Sequence, residues 1–168
     1  MASVSWGAPK LEMFKLTAGQ VIDDTLAKGD WASKPNYVAI EGSRLLEGSS
    51  TLETTAGEEK TLKNAFGLDV DSKVKPSSYS FSTSVIRQKT DTTDVVESNN
   101  GIVAGEWAFR LTPEDPETLG FIFRKASISV SKGWSEDNGI TENLTIKGVE
   151  PNGSDKEICK ILQIGAGA

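Results

Sequence analysis

The sequence predicts an all-β domain, a β-sandwich or half-barrel of antiparallel strands with one short helix and a long projecting hairpin. Apolar and polar residues alternate in several runs, as at Trp107, Phe109 and Leu111, which is the pattern of a strand with one buried face. Turn residues separate these runs, and 16 of the 168 residues are glycine. This length fits one domain over residues 1–168.

The strongest strand pattern lies between residues 105 and 134. The first run ends at residues 112–116, where two prolines lack the backbone N–H that a ladder needs. A second run covers residues 121–130, and Arg124-Lys125 makes a bend plausible within it. We interpret this region as a central antiparallel hairpin that serves as scaffold.

The segments before this hairpin are less regular. Residues 1–9 are interpreted as a loose N-terminal arm and residues 10–16 as a first strand. Residues 17–29 have the spacing of a short helix, which Thr17 would cap and Gly29 would end, although a loop fits equally well. The other predicted strands cover residues 37–46, 77–87, 140–149 and 157–164, before a flexible tail at residues 165–168.

A polar segment from residue 47 to residue 65 predicts the projecting hairpin. Two β-type runs flank the turn Ala56-Gly57-Glu58-Glu59, and Leu52 and Leu62 are nearly the only apolar residues. So few apolar residues cannot form a core, so we expect the hairpin to project and either to move freely in solvent or to pair with a partner.

Composition limits the classes of function. The net charge is −6 and the pI is about 4.8, so the chain is a poor candidate for gripping nucleic acid, which requires Lys and Arg at phosphates. The N-terminus has no basic and apolar regions of a secretory signal, and no apolar run is long enough to span a membrane. We therefore expect synthesis in the cytoplasm and no membrane partner.

The sequence holds no convincing catalytic, metal or cofactor site. There is no histidine, which excludes His-dependent nucleophiles and His-ligated metals. Asp69 and Asp71 lack the spacing of a calcium loop, and no phosphate-binding glycine motif is present. Cys159 lies in an apolar run and is expected to be a small buried side chain. We predict no enzyme activity and no cofactor.

Aromatic residues outside the strands are the more informative candidates. Trp6, Trp31 and Trp134 occur in polar or glycine-rich surroundings, where tryptophan is typical of an interface anchor. An equally good interpretation is that they pin loops to their own domain. With the hairpin residues, the candidate assembly interface comprises Trp6, Trp31, Leu52, Glu58, Glu59, Leu62 and Trp134.

The order of strands and turns resembles the tail-tube (major tail) proteins of long-tailed bacteriophages. The most similar stretches are residues 51–85 and residues 134–151, where WSEDNG precedes a strand that ends in GVEP. The resemblance implies a β-sandwich that forms stacked hexameric rings, with inner strands around a lumen that passes DNA without binding it specifically. It also implies location in the virion tail and contacts with other tail proteins.

The expected function is therefore structural. The main hypothesis is a self-assembling subunit of a phage tail tube, whose closed rings would remove exposed strand edges. The alternative is a monomeric carbohydrate- or surface-binding adhesion module that uses Trp31 or Trp134 as a sugar platform.

Overall fold

The computed structural model describes residues 9–46, 48–87, 94–96, 98–115 and 118–164. Trp6, nearly all of the predicted N-terminal arm and the predicted tail lie outside these residues. The described part holds ten strands, one α-helix and one 3-10 helix. The elements are β1 (Lys10–Lys15), α1 (Asp24–Lys28), β2 (Val38–Ile40), the 3-10 helix Gly42–Arg44, β3 (Thr51–Thr55), β4 (Glu59–Lys63), β5 (Asp69–Val74), β6 (Ser78–Ile86), β7 (Trp107–Thr112), β8 (Gly120–Ser135), β9 (Gly139–Gly148) and β10 (Cys159–Leu162).

The protein is mostly antiparallel β-sheet, as the sequence predicts. Eight strands form one sheet in the order β2-β1-β7-β8-β9-β6-β3, and β10 also pairs with β8. The remaining strands, β4 and β5, pair only with each other in a separate two-stranded sheet.

Strand β8 divides the large sheet into two parts. Its first residues pair with β10 and its later residues, from Ala126 onward, pair with β9. The core face carries Phe123 in the first part and Ile128 in the second, so the side-chain alternation shifts once between them. A register shift of β7 against β8 lies at the same place. The bend that Arg124-Lys125 made plausible is therefore present.

The bend folds the two parts of the sheet over a shared core. Phe81 on β6 and Phe109 on β7 are three strands apart in the sheet, yet their ring centroids lie only 5.3 Å apart. Phe81, Trp107, Phe109 and Phe123 are all buried in this core, as the alternation at Trp107 and Phe109 predicts for those two residues. Cys159 is also buried, as predicted, and burial raises the pKa of its thiol to about 11.

The helix is shorter than predicted and has a different cap. Helix α1 begins at Asp24, and the Asp23 carboxylate accepts a hydrogen bond from the Leu26 N–H at 2.7 Å. Thr17 instead forms a turn with Gln20, while Gly29 ends the helix as expected. An Asp at the cap leaves only five helical residues, so packing on the sheet must stabilise them.

A buried ion pair fastens α1 to the sheet. Arg110 on β7 makes two hydrogen bonds to the Glu12 carboxylate on β1, at 3.1 and 3.2 Å. It also donates to the carbonyl oxygens of Ala27 and Gly29, at 2.9 and 2.6 Å. The guanidinium of Arg110 also packs over the Trp31 ring, with its central carbon 4.2 Å from the ring centroid. These contacts cover the outer face of the first part of the sheet.

Two further predictions need correction. Residues 37–46 do not form one strand, because β2 ends at Ile40 and a 3-10 helix begins at Gly42. Residues 51–55 and 59–63 do not form a hairpin with each other: β3 pairs with β6 in the large sheet, and β4 pairs with β5. The projecting hairpin therefore exists, but it lies later in the chain than predicted.

No helix among the described residues is both long and apolar enough to cross a membrane.

Candidate functional site

The β4–β5 hairpin, residues 58–75, stands apart from the large sheet. Every residue of both strands is exposed. Asn64 shapes the tip: its Oδ1 accepts hydrogen bonds from the N–H groups of Phe66 and Leu68, at 3.0 and 3.1 Å. Gly67 has a φ of 78°, a value that favours glycine. The tip is thus held by its own hydrogen bonds and presents Phe66 outward.

The hairpin carries a concentration of exposed large apolar side chains. Phe66 at the tip is 89% exposed. Hydrophobic residues scattered singly on a surface are ordinary, but several on one small element indicate a contact surface. The set comprises Leu62, Phe66, Leu68, Val70 and Val74.

Most of this apolar set was missed from the sequence. Only Leu62 was predicted, because the hairpin was expected to end near residue 65. Phe66, Leu68 and Val70 alternate with Gly67 and Asp69. That period-two pattern was the signal that could have placed a strand there.

The charges on the hairpin balance. Residues 58–75 contain four acidic and four basic side chains, so this segment has no net charge while the whole chain has −6. Lys75 and Glu58 form an exposed ion pair at 3.3 Å, and Ser72 donates a hydrogen bond to Glu59 at 2.8 Å. The candidate residues Glu58 and Glu59 therefore make exposed contacts at the base of the hairpin.

The two ends of the hairpin meet at Gly57. A Cβ atom on Gly57 would lie 1.7 Å from the carbonyl oxygen of Lys75. The Lys75 N–H also donates to the Glu58 carbonyl oxygen at 2.9 Å. This close backbone approach requires glycine and makes residues 57 and 76 near neighbours in space.

Leu52 does not belong to the projecting hairpin. It lies on β3 directly opposite Phe81 of β6 and is partly exposed, 38%, at the margin of the core. Leu52 and Leu62 are thus on different elements, and only Leu62 lies on the projecting surface.

The outer surface of the second part of the large sheet is a flat array of small polar side chains, which we call the hydroxyl face. Neighbouring side chains are hydrogen-bonded across strands, with Ser84 Oγ donating to Asn143 Oδ1 at 2.6 Å and the hydroxyls of Thr51 and Ser82 3.2 Å apart. The hydroxyl face comprises Thr51, Ser80, Ser82, Ser84, Ser127, Ser129, Ser131, Asn143 and Thr145.

The three candidate tryptophans differ in their exposure and in whether the structure describes them. Trp31 is 0% exposed and packs edge-on against Phe14, so the prediction that it is an exposed anchor is wrong and the loop-pinning interpretation fits. Trp134 is 73% exposed and lies opposite Ile140 near the β8–β9 turn. Trp6 lies outside the described residues.

The described residues contain no group of three or more His, Cys, Asp or Glu side chains that could hold a metal ion. A cleft of about 980 Å³ opens between Tyr37, Trp107 and residues 94–96. Its described lining mixes apolar, basic and acidic side chains.

Comparison with known proteins adds no family assignment. No family model matches the chain, and no curated protein is significantly similar to it. The candidate surfaces are therefore interpreted from their own chemistry.

Proposed function

We propose that this protein is a non-catalytic structural subunit that assembles with copies of itself through the β4–β5 hairpin, as a subunit of a phage tail tube would. The observation that carries this proposal is the group of exposed apolar side chains on a hairpin that pairs with no other strand of the described residues. An isolated two-stranded hairpin is marginal in water. Burying one such side chain contributes about 1.5–3 kcal/mol, so a partner would complete the element.

The neutral charge of the hairpin is compatible with a second copy as that partner. Two copies of a chain with net charge −6 repel each other at long range. The hairpin has no net charge, so it is a part of the molecule that can approach an acidic neighbour without adding to this repulsion. Its apolar residues would then provide attraction at contact, in keeping with rings that stack into a tube.

The hydroxyl face suits a surface that passes DNA without holding it. Along the strand residues that form this face, the charged side chains are Glu53 and Lys147, one of each sign. Strong DNA binding requires several cations at phosphates, and this array supplies no such cluster. In the proposed tube, this face would line the lumen.

Replacing residues 58–75 with a short Gly-Ser linker tests the assembly role. Residues 57 and 76 lie close together, so the linker should leave the large sheet intact. We expect thermal melting close to that of the parent and loss of rings or tubes in negative-stain electron microscopy.

Point variants give a finer test. The pair Phe66→Ser and Leu68→Ser should reduce assembly strongly, while Thr61→Ser with Lys63→Ser, at exposed polar positions of the same hairpin, should leave it intact. A parent protein that stays monomeric at all concentrations, or a deletion variant that forms normal tubes, would refute the proposal.

The exposed Trp134 supports an alternative, a monomeric carbohydrate- or surface-binding module. An aromatic face 73% exposed can stack on a sugar ring. This function predicts a monomer in sedimentation and polysaccharide binding that Trp134→Ala abolishes. Binding that persists in Trp134→Ala would exclude this platform.

A further inference from the structure

A buried carboxyl group lies at one end of the core. Glu142 on β9 is 0% exposed, and its register neighbours are Val85 on β6 and Lys132 on β8. Its Oε2 accepts a hydrogen bond from the Val95 N–H at 3.1 Å. Its Oε1 is buried and receives no hydrogen bond from the residues that the structure describes. A buried charged oxygen without a donor is costly, so this side chain needs a proton or a cation.

The nearby cations are engaged by a different carboxylate. Asp94 accepts a hydrogen bond from Lys132 at 2.9 Å and pairs with Arg87, directly after β6, at 3.3 Å. No ion pair joins Glu142 to a cation among the described residues. Glu142 lies near Asp94, because Val95, the residue after Asp94, donates to Glu142, and Lys132, which donates to Asp94, is the register neighbour of Glu142. Two carboxyl groups can hydrogen-bond only when one of them carries a proton.

The surroundings of the two carboxyl groups shift their pKa values in opposite directions. Burial raises the pKa of Glu142, and the charge of Asp94 raises it further, against the lowering effects of the Val95 N–H and of the charges of Arg87 and Lys132. The hydrogen bond from Lys132 lowers the pKa of Asp94. Paired acids whose pKa values are pushed apart in this way hold one proton between them.

We propose that Glu142 and Asp94 share one proton and form a latch that holds residues 94–96 on the core. The latch comprises the hydrogen bond from Glu142 to Asp94 and the hydrogen bond from the Val95 N–H to Glu142. Beside it, Val96 is buried in the main core. Loss of the proton places two negative charges side by side at a buried site and opens the latch.

The pH dependence follows from the sign of the shift. The pKa of Glu142 is higher in the folded state than in the unfolded state. The stabilisation from the protonated group is therefore fully present at pH values below the pKa of the unfolded state. It is lost as the pH rises through the folded-state value. Asp94 stays ionised in this window because its own pKa is lowered.

Glu142→Gln tests the latch because glutamine imitates the protonated acid. Its amide oxygen can accept from the Val95 N–H and its amide group can donate to Asp94, but it does not titrate. The measurement is hydrogen exchange of the peptide containing residues 94–96, corrected for intrinsic exchange rates, from about pH 4 to about pH 9. We expect protection to fall with pH in the parent and to stay constant in Glu142→Gln.

The control is Glu136→Gln, at an exposed position in the β8–β9 turn, which should behave like the parent. A second measurement follows the ¹³C carboxyl chemical shift of Glu142 in the unmodified protein, and its titration midpoint should lie above the ordinary range for glutamate. Identical exchange profiles for the parent and Glu142→Gln would overturn the proposal. So would a Glu142 carboxyl that titrates at or below the ordinary range, or a Glu142→Gln variant that does not fold.

Discussion

At the scale of single residues, the Arg110–Glu12 pair shows how a polar contact inside the protein differs from one on its surface. Both side chains are nearly buried, and Tyr37 donates a further hydrogen bond to Glu12 at 2.7 Å. Removing one partner of such a pair leaves the other charge in the core without compensation. The pair therefore holds α1 in place more through the cost of breaking it than through its own attraction.

We expect Glu12→Ala to lower the free energy of unfolding by about 3–5 kcal/mol, since Arg110 would lose its carboxylate partner. The control is Glu41→Ala, because Glu41 pairs with Lys10 at 3.8 Å with both side chains exposed. An exposed pair contributes about 0–1 kcal/mol. Denaturant unfolding measures both variants, and losses of equal size would contradict the assigned role of Glu12.

The same residues show which contacts the sequence could not predict. Glu12 and Arg110 are 98 positions apart, and alternation within each strand says which face is buried but not which polar side chains meet there. Trp31 was placed on the surface because its neighbours are polar, yet Arg110 and Phe14 bury it. The Asp94–Glu142 contact was missed for the same reason.

At the scale of elements, prediction succeeded where one face of a strand is buried. β6, β9 and the later part of β8 alternate because one face of each lies over the core, and the sequence located them. It also located β7, which is buried on both faces. β3, β4 and β5 are exposed along their whole length, so no buried face specifies their partners. The expected pairing of residues 51–55 with residues 60–65 was wrong for this physical reason.

The exposure of the β4–β5 hairpin predicts where proteases cut the monomer. Trypsin should cleave after Lys60 or Lys63, because a two-stranded hairpin opens at little free-energy cost. Lys147 is also exposed but lies in β9 between β8 and β6, and should resist cleavage. Mass spectrometry of early fragments identifies the sites. In the assembled state the hairpin should become resistant, and cleavage at equal rates in both states would argue against its burial between subunits.

At the scale of the whole molecule, two opposing interactions should control assembly. The net charge of −6 acts over long distances between copies, while the apolar residues of the hairpin act only at contact. Salt changes the first interaction and not the second. The screening length falls from about 30 Å at 0.01 M to about 8 Å at 0.15 M, so repulsion between acidic bodies is largely removed at the higher concentration.

We therefore predict that added salt promotes assembly. Particle size, followed by sedimentation or light scattering, should increase between these two salt concentrations for the parent, because screening lowers the repulsion while the apolar contact is retained. The variant without residues 58–75 has the same net charge, since that segment is neutral, and it should stay monomeric at both concentrations. If salt instead dissolved the parent assemblies, ion pairs between subunits would hold them together, and the apolar hairpin could not be the main contact.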